Sequence, residues 1–231
     1  MKNLILTGGI FHPFKESSHA LKEILMKEGI ESEITEDIEF GLKKIDEGHF
    51  DLLTVYALRW SMKNGTKYKP YRNQWEFNIT ASGQKSIYKF LEKGGGIFGL
   101  HTAAICFDQW KDWISILGCK WIWGKSGHLP FGAVNTRTEI TKHPITNNIN
   151  PFNLEDEVFA DLKIAKDITP LMSARVEGQE NWHPVLWARK CFNGRVVYDA
   201  LGHDKKSITH PEHAKIIRRS ANWAIGNLKQ N

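Results

Sequence analysis

The sequence predicts an α/β domain, a mainly parallel sheet with helices on both faces. Strand-length apolar runs alternate with helix-period segments through the first hundred residues. Glycine or a capping residue closes most of these segments. A strand–turn–helix layout stands at "GGGIFGLHTAAICF", Gly94 to Phe107. A chain of 231 residues and 26.5 kDa buries roughly 70% of its unfolded surface, enough for a core without disulfides or structural metal. No repeat, linker or low-complexity stretch divides it, so residues 1–231 read as one domain.

In order, Lys2 to Thr7 reads as a buried strand running into Gly8-Gly9, and Ser17 or Ser18 caps a helix from His19 to Lys27. Gly29 stops that helix, and Glu31 to Thr35 is a second strand. Asp37 caps a helix that ends near Gly48, and Asp51 to Ala57 is a third buried strand. Arg59 to Tyr71 is polar and aromatic, broken by Asn64-Gly65 and Pro70, and reads as a long loop. Ser82 to Lys93 is an amphipathic helix with Ile87, Phe90 and Leu91 inward. Ile97 to Leu100 is the fourth strand, and a helix follows from about Ala103. Beyond Gly118 the pattern loosens into extended stretches at 133–139, 156–162, 169–174, 185–189 and 195–201, with a tight turn at Asn193-Gly194. A helix from Ile208 to Asn227 closes the chain.

Composition excludes several classes of function. Hydrophobic content of 41% and charged content of 25% are those of a soluble globular chain. The net charge of +5 is dispersed, with pairs such as Lys205-Lys206 and Arg218-Arg219 but no stripe for nucleic acid. Cys106, Cys119 and Cys191 are odd in number and match no zinc or redox spacing, so reduced buried thiols are expected. "MKNLILTGGIF" is too short for a signal segment, and no apolar run nears the ~20 residues of a membrane helix. A cytoplasmic protein without a membrane partner is expected.

Ligands of an open parallel sheet bind outside the carboxyl ends of its strands. His12, His101 and His203 each follow a strand. His101 stands where a nucleophile elbow holds its serine or cysteine, among the small residues Gly99, Thr102, Ala103 and Ala104. The helix expected after it would point its positive end at the ring and keep the imidazole neutral, as acid/base or metal ligand; packing or capping is the plainer alternative. His203, in "ALGHD", is placed as a general base. Glu157, in "EDEVF", can orient an imidazole or bind a metal, although an acidic run is usually solvated; Asp156 weighs less. Asp204 follows His203 and is a candidate substrate contact, as are His12 and the loop residue His128. His19, His143, His183, His210 and His213 read as helix-start, turn or structural residues. With no compact motif such as HExxH, a divalent metal would assemble from distant residues, the candidates being His12, His101 and His203. Trp110, Trp113, Trp121 and Trp123 cluster after the elbow; most belong to the core, and Trp123 is the candidate to stack on a sugar ring.

The chain resembles the ThuA-like, or trehalose-utilisation, family nearly end to end. The resemblance rests on "TGG" followed by His12, "GGGIFGLHTA", Gly127-His128, "HPIT" at His143, "DEVF" at Asp156, "PVLWARK" at Pro184, and "GRVVYDALGHD" before a helix holding Asn222-Trp223-Ala224. It implies a flavodoxin-like sheet of the class I glutamine amidotransferase type, with the elbow cysteine replaced by His101 and amidotransferase chemistry therefore lost. It also implies action on trehalose-related or 3-keto-disaccharide and glycoside substrates, by histidine and carboxylate chemistry on His101, His203 and Glu157, with or without a divalent metal. Two other readings stay open: a non-catalytic sugar-binding or sensing protein, and a hydrolase using Cys106 or Ser126. A homo-oligomer is compatible with all of them.

Overall fold

The computed structural model describes residues 1–139 and 142–228. The amino-terminal half runs β1 (Lys2–Gly8), α1 (Phe14–Met26), β2 (Glu31–Thr35), α2 (Ile38–Glu47), β3 (Leu52–Ala57), a 3-10 turn (Thr66–Tyr71), α3 (Arg72–Trp75), α4 (Ala81–Glu92) and β4 (Gly96–Leu100). After a second 3-10 turn (His101–Ala104) come α5 (Trp113–Leu117), β5 (Cys119–Lys120), β6 (Gly127–His128), β7 (Gly132–Thr138), β8 (Asn153–Asp156), β9 (Phe159–Ala160), β10 (Lys163–Ile164), β11 (Thr169–Val176), β12 (His183–Cys191), β13 (Gly194–Asp199), α6 (Lys205–Thr209) and α7 (Pro211–Ala224).

Nine strands form one sheet in the order β2-β1-β3-β4-β13-β12-β11-β7-β8. The first five are parallel, in the flavodoxin-like order 2-1-3-4-5. β3 is buried at every position, as a strand covered on both faces must be. Helices α1 and α7 lie against one face, while α2, α4 and α5 lie on the other. β4 sits fourth of nine, close to the middle. The remaining pairings are antiparallel, which accounts for the looser pattern after Gly118. Four reversals separate β8 from β13, so β8 points the same way as the parallel strands. Contact between β8 and α6 then brings that far edge back over the carboxyl end of the sheet.

Several local expectations are corrected. α1 begins at Phe14, not His19. Ser17 and Ser18 are buried inside it, and Ser18 Oγ donates to Phe14 O at 2.6 Å instead of capping. The stretch Arg59 to Tyr71 is not all loop, because Thr66–Tyr71 is helical. The terminal helix is split at His210 (φ −55, ψ 131), since Pro211 disfavours helical backbone in the residue before it and is itself suited to a helix start. The β12–β13 turn is Phe192-Asn193, with Phe192 left-handed at φ 52. Gly194 already pairs with Cys191, and a Cβ there would lie 2.3 Å from Gly95 O. Asp37 caps α2 as expected, accepting from Phe40 N.

The correction that matters for chemistry is at the elbow. No helix starts at Ala103; a single 3-10 turn spans His101–Ala104, and α5 is five residues long and begins at Trp113. A helix dipole therefore does not hold His101 neutral. The elbow is nonetheless tight: His101 is left-handed at φ 47, and a Cβ on Gly99 would meet Leu117 at 2.4 Å.

Candidate functional site

Four residues from four separate strand ends converge. His12 follows β1, His101 follows β4, Glu157 follows β8 and His203 follows β13. One ligand atom from each lies within 4.8 Å of every other. The three imidazole centroids are 4.6 Å (His12–His203), 5.0 Å (His12–His101) and 5.5 Å (His101–His203) apart.

His101 is fully buried. Its ring stacks on Phe159 at 4.7 Å, and Nδ1 lies 2.7 Å from Ala200 O. A carbonyl only accepts, so Nδ1 carries the proton and Nε2 presents a lone pair to the cluster. His12 repeats the arrangement: Nδ1 is 3.2 Å from Ile10 O, and Nε2 faces the His101 Nε2 at 3.1 Å. Two neutral rings tied in this way oppose lone pair to lone pair. Only a shared cation, either a proton or a metal ion, makes that approach attractive. A carbonyl on the remote nitrogen is also the usual support of a metal-binding imidazole.

Glu157 Oε2 is 3.8 Å from His101 Nε2 and 3.4 Å from His203 Nδ1, while Oε1 is 3.4 Å from His128 Nδ1. His203 Nδ1 is buried and stands at ion-pair distance from that carboxylate without an aligned hydrogen bond. The facing Nε2 lone pairs of His12 and His101 and the Glu157 carboxylate thus offer a compact nitrogen and oxygen donor set, with the His203 ring beside it, which fits a divalent ion such as zinc or manganese.

The electrostatics separate the rings. Burial is the main reason that the pKa of His101 falls to about 4 and that of His12 to about 3, the latter with help from His101. Burial also opposes charge on the Glu157–His203 pair, but there the mutual attraction wins: Glu157 is held below its ordinary value and His203 above. The cluster therefore combines two rings held neutral with a carboxylate and an imidazole that favour each other's charged forms.

These shifts set a pH dependence for the metal-free protein. His12, His101 and His143, the last lowered by burial to about 4, are neutral when folded but protonate from an ordinary 6.5 when unfolded. Between those values the unfolded chain binds more protons. Their contribution is full above about pH 6.5 and falls as pH drops, by up to ~1.4 kcal/mol per pH unit for each group. Urea midpoints measured from pH 6.5 down to 4.5, below the range in which the raised His203 and His213 act, should decline steadily, and a flat profile would contradict the assignment.

Beneath the cluster lies a network that the sequence reading undervalued. Asp156 is fully buried and accepts from Glu157 N at 2.7 Å, Gly202 N at 2.8 Å, His203 N at 3.3 Å and the Ser207 hydroxyl. It therefore fixes the backbone on both sides of the Glu157–His203 pair. His213 is also fully buried, with Nδ1 2.9 Å from Ser207 O and Nε2 3.1 Å from Asp199 Oδ2. Both partners are acceptors, so His213 is an imidazolium; burial opposes its charge, but Asp199 outweighs that and raises its pKa.

Other expected site residues are placed as follows. His128 is exposed at the rim and faces Glu157. Trp123 is half-buried, stacked on Trp60 at 6.1 Å and edge-on to Trp121, whose ring meets Phe159; Trp121 and Phe159 link it to His101. Asp204 caps α6, accepting from Ser207 N. His143 accepts from Ile145 N and packs on Trp223, a structural placement. Cys106 is buried with its thiol pushed up to about 12 by burial and its Sγ on Ala57 O. Ser126 Oγ is committed to Asp161 O and Ile122 N. Neither is set up as a nucleophile. Cys119 and Cys191 are likewise free and buried. Among the described residues no helix is long and apolar enough to cross a membrane.

No curated protein matches the chain. The solved structures it resembles include a ThuA-like protein from Parabacteroides merdae ATCC 43184, with a TM-score of 0.75, 17% identity and coverage of 100% of this chain and 92% of that one. A ThuA-like protein from Bacteroides uniformis ATCC 8492 gives 0.70 and 17%, covering 99% and 93%. A cytoplasmic protein from Salmonella typhimurium LT2 gives 0.63 and 13%, covering 97% and 99%. At these identities the likeness shows the fold. The ThuA family, described as trehalose utilisation, matches residues 2–224. With nearly the whole chain so matched, the protein belongs to the ThuA, or trehalose-utilisation, family.

Proposed function

We propose that the protein is a metal-assisted carbohydrate enzyme that opens 3-keto-glycosides, trehalose-derived ones included, by acid–base elimination. The observation that carries the reading is the approach of His12 Nε2 to His101 Nε2 at 3.1 Å with both Nδ1 atoms held by main-chain carbonyls. His12 and His101 would hold the metal, with Glu157 and His203 in reach. Bound there, a divalent ion would polarise the substrate's ketone.

The chain's own residues supply the proton transfers. In a 3-keto-glycoside the C2–H is acidified by the adjacent ketone, and the glycosidic oxygen on C1 lies one carbon beyond. The Glu157 carboxylate takes the C2 proton, the C2–H electrons form the C1–C2 double bond, and the C1–O bond breaks. His203, protonated beside Glu157, donates its proton to the leaving oxygen. Asp156 keeps the pair in register. An unmodified disaccharide lacks the acidic C–H and should not react.

The test pairs metal analysis with turnover. Purified protein should carry about one equivalent of divalent metal, and chelation should stop cleavage of a 3-keto-disaccharide while unmodified trehalose stays intact throughout. Full turnover by chelated protein would remove the metal from the reading. Saturable sugar binding without any turnover would favour a binding or sensing protein instead.

A further inference from the structure

The chain holds twelve phenylalanines, nine tryptophans and five tyrosines, and nearly all are at least half-buried. Among the described residues five aromatic side chains are exposed: Phe11 at 60%, Phe40 at 56%, Tyr71 at 38%, Phe131 at 46% and Phe192 at 58%. Phe40 lies on α2 and Phe192 in the β12–β13 turn. The other three are linked to the histidine cluster, Phe131 by direct ring contact and Phe11 and Tyr71 through the chain neighbour of His12. Phe131 sets its ring 5.0 Å from that of His203, inclined by 52°. Phe11 immediately precedes His12 and meets Tyr71 edge-on at 5.5 Å.

Phe11 is also strained. It is left-handed at φ 67, a conformation that is an outlier for a bulky residue. Its ring is more than half exposed, so burial offsets little of that cost. Glycine would take the same backbone freely. A strained, exposed aromatic beside a candidate catalytic residue is a poor choice for stability and a good one for binding.

We propose that Phe131 on one side and the Phe11–Tyr71 pair on the other are the walls of the substrate cleft, and that they select a pyranose ring by stacking on its C–H faces. This rests on the reading of the cluster as a carbohydrate site. Ligand sites combine aromatic walls with a few converging polar groups. Here the polar groups are the three histidines and Glu157, and the Phe131 ring lies against one of them. The rings are aromatic rather than aliphatic, which suits a flat, weakly polar face. The occupant is therefore a glycoside.

The test measures trehalose and a 3-keto-disaccharide against wild type, Phe131→Ala, Phe131→Tyr and Phe11→Gly. The readouts are calorimetric affinity, KM and kcat, metal content, Tm and sedimentation. Loss of one stacking wall should weaken affinity or raise KM about tenfold, a larger effect than on kcat, with metal content near wild type. Phe131→Tyr should bind normally. Phe11→Gly should bind weakly while its Tm is unchanged or raised, a combination that a structural role does not give. Unchanged affinity and KM in both truncations, with wild type active, overturns the walls alone. A change in sedimentation without a change in affinity overturns them in favour of an interface between copies. Failure of wild type to bind or turn over any of these sugars overturns the carbohydrate reading and the walls together, even where the metal is present.

Discussion

His101→Ala should lower turnover of a 3-keto-glycoside by at least about a hundredfold and release the bound metal, while far-UV circular dichroism and cooperative unfolding persist. The imidazole is the most constrained of the three at the site: fully buried, stacked on Phe159, and fixed by Ala200 O so that Nε2 faces His12. Alanine cannot replace that lone pair. The remaining histidine and the Glu157–His203 pair would hold a divalent ion far less tightly. The backbone at φ 47 is already borne by a side chain with a Cβ, so alanine adds no new strain. The cost to folding is the lost ring packing and one unpartnered carbonyl, a few kcal/mol at most. Metal content, turnover and Tm should therefore separate. Activity and metal content near wild type would show the elbow histidine to be structural.

The fold was legible because parallel strands write themselves plainly. Leu52–Ala57 and Ile97–Leu100 are continuous apolar runs bounded by turn formers, and both occupy the middle of the sheet. The rule that ligands gather at carboxyl ends located His12, His101 and His203 from strand ends alone. What was not legible follows from contacts distant in sequence. Asp156 sits in an acidic run that looked solvated, yet β8 alternates, with Leu154 and Asp156 inward and Asn153 and Glu155 outward. That period of two was readable; its destination, 46 residues away at Gly202 N, was not. The elbow misled in a different way. Small residues after His101 suggested a helix, but the chain makes one 3-10 turn and leaves, so burial, helped by the neighbouring His203 and His128, depresses the imidazole pKa. Phe11 and Phe131 carried no period, and only their exposure marks them.

The second large effect is expected at the buried pair beneath the site. Asp199 and His213 are both fully buried and 3.1 Å apart. His213 has acceptors on both nitrogens, and Asp199 Oδ1 accepts from Leu201 N at 3.1 Å. Their mutual attraction is balanced by the loss of water, so the pair adds little net stability over an apolar replacement. Removing one partner is different, because the other stays buried and uncompensated. His213→Leu should lower unfolding stability by about 3–5 kcal/mol, roughly 10 °C in Tm for a chain of this size. Asp199→Leu should cost less, since an unpaired imidazolium can shed its proton and remain as a neutral ring. The double variant should recover a large part of the loss, which a double-mutant cycle by urea unfolding would read as strong coupling. Turnover should fall in all three, because His213 holds Ser207 and Ser207 in turn donates to Asp156, the carboxylate that fixes both Glu157 and His203. Additive losses, with kcat unchanged in folded His213→Leu, would separate this network from the site and leave His213 a packing residue.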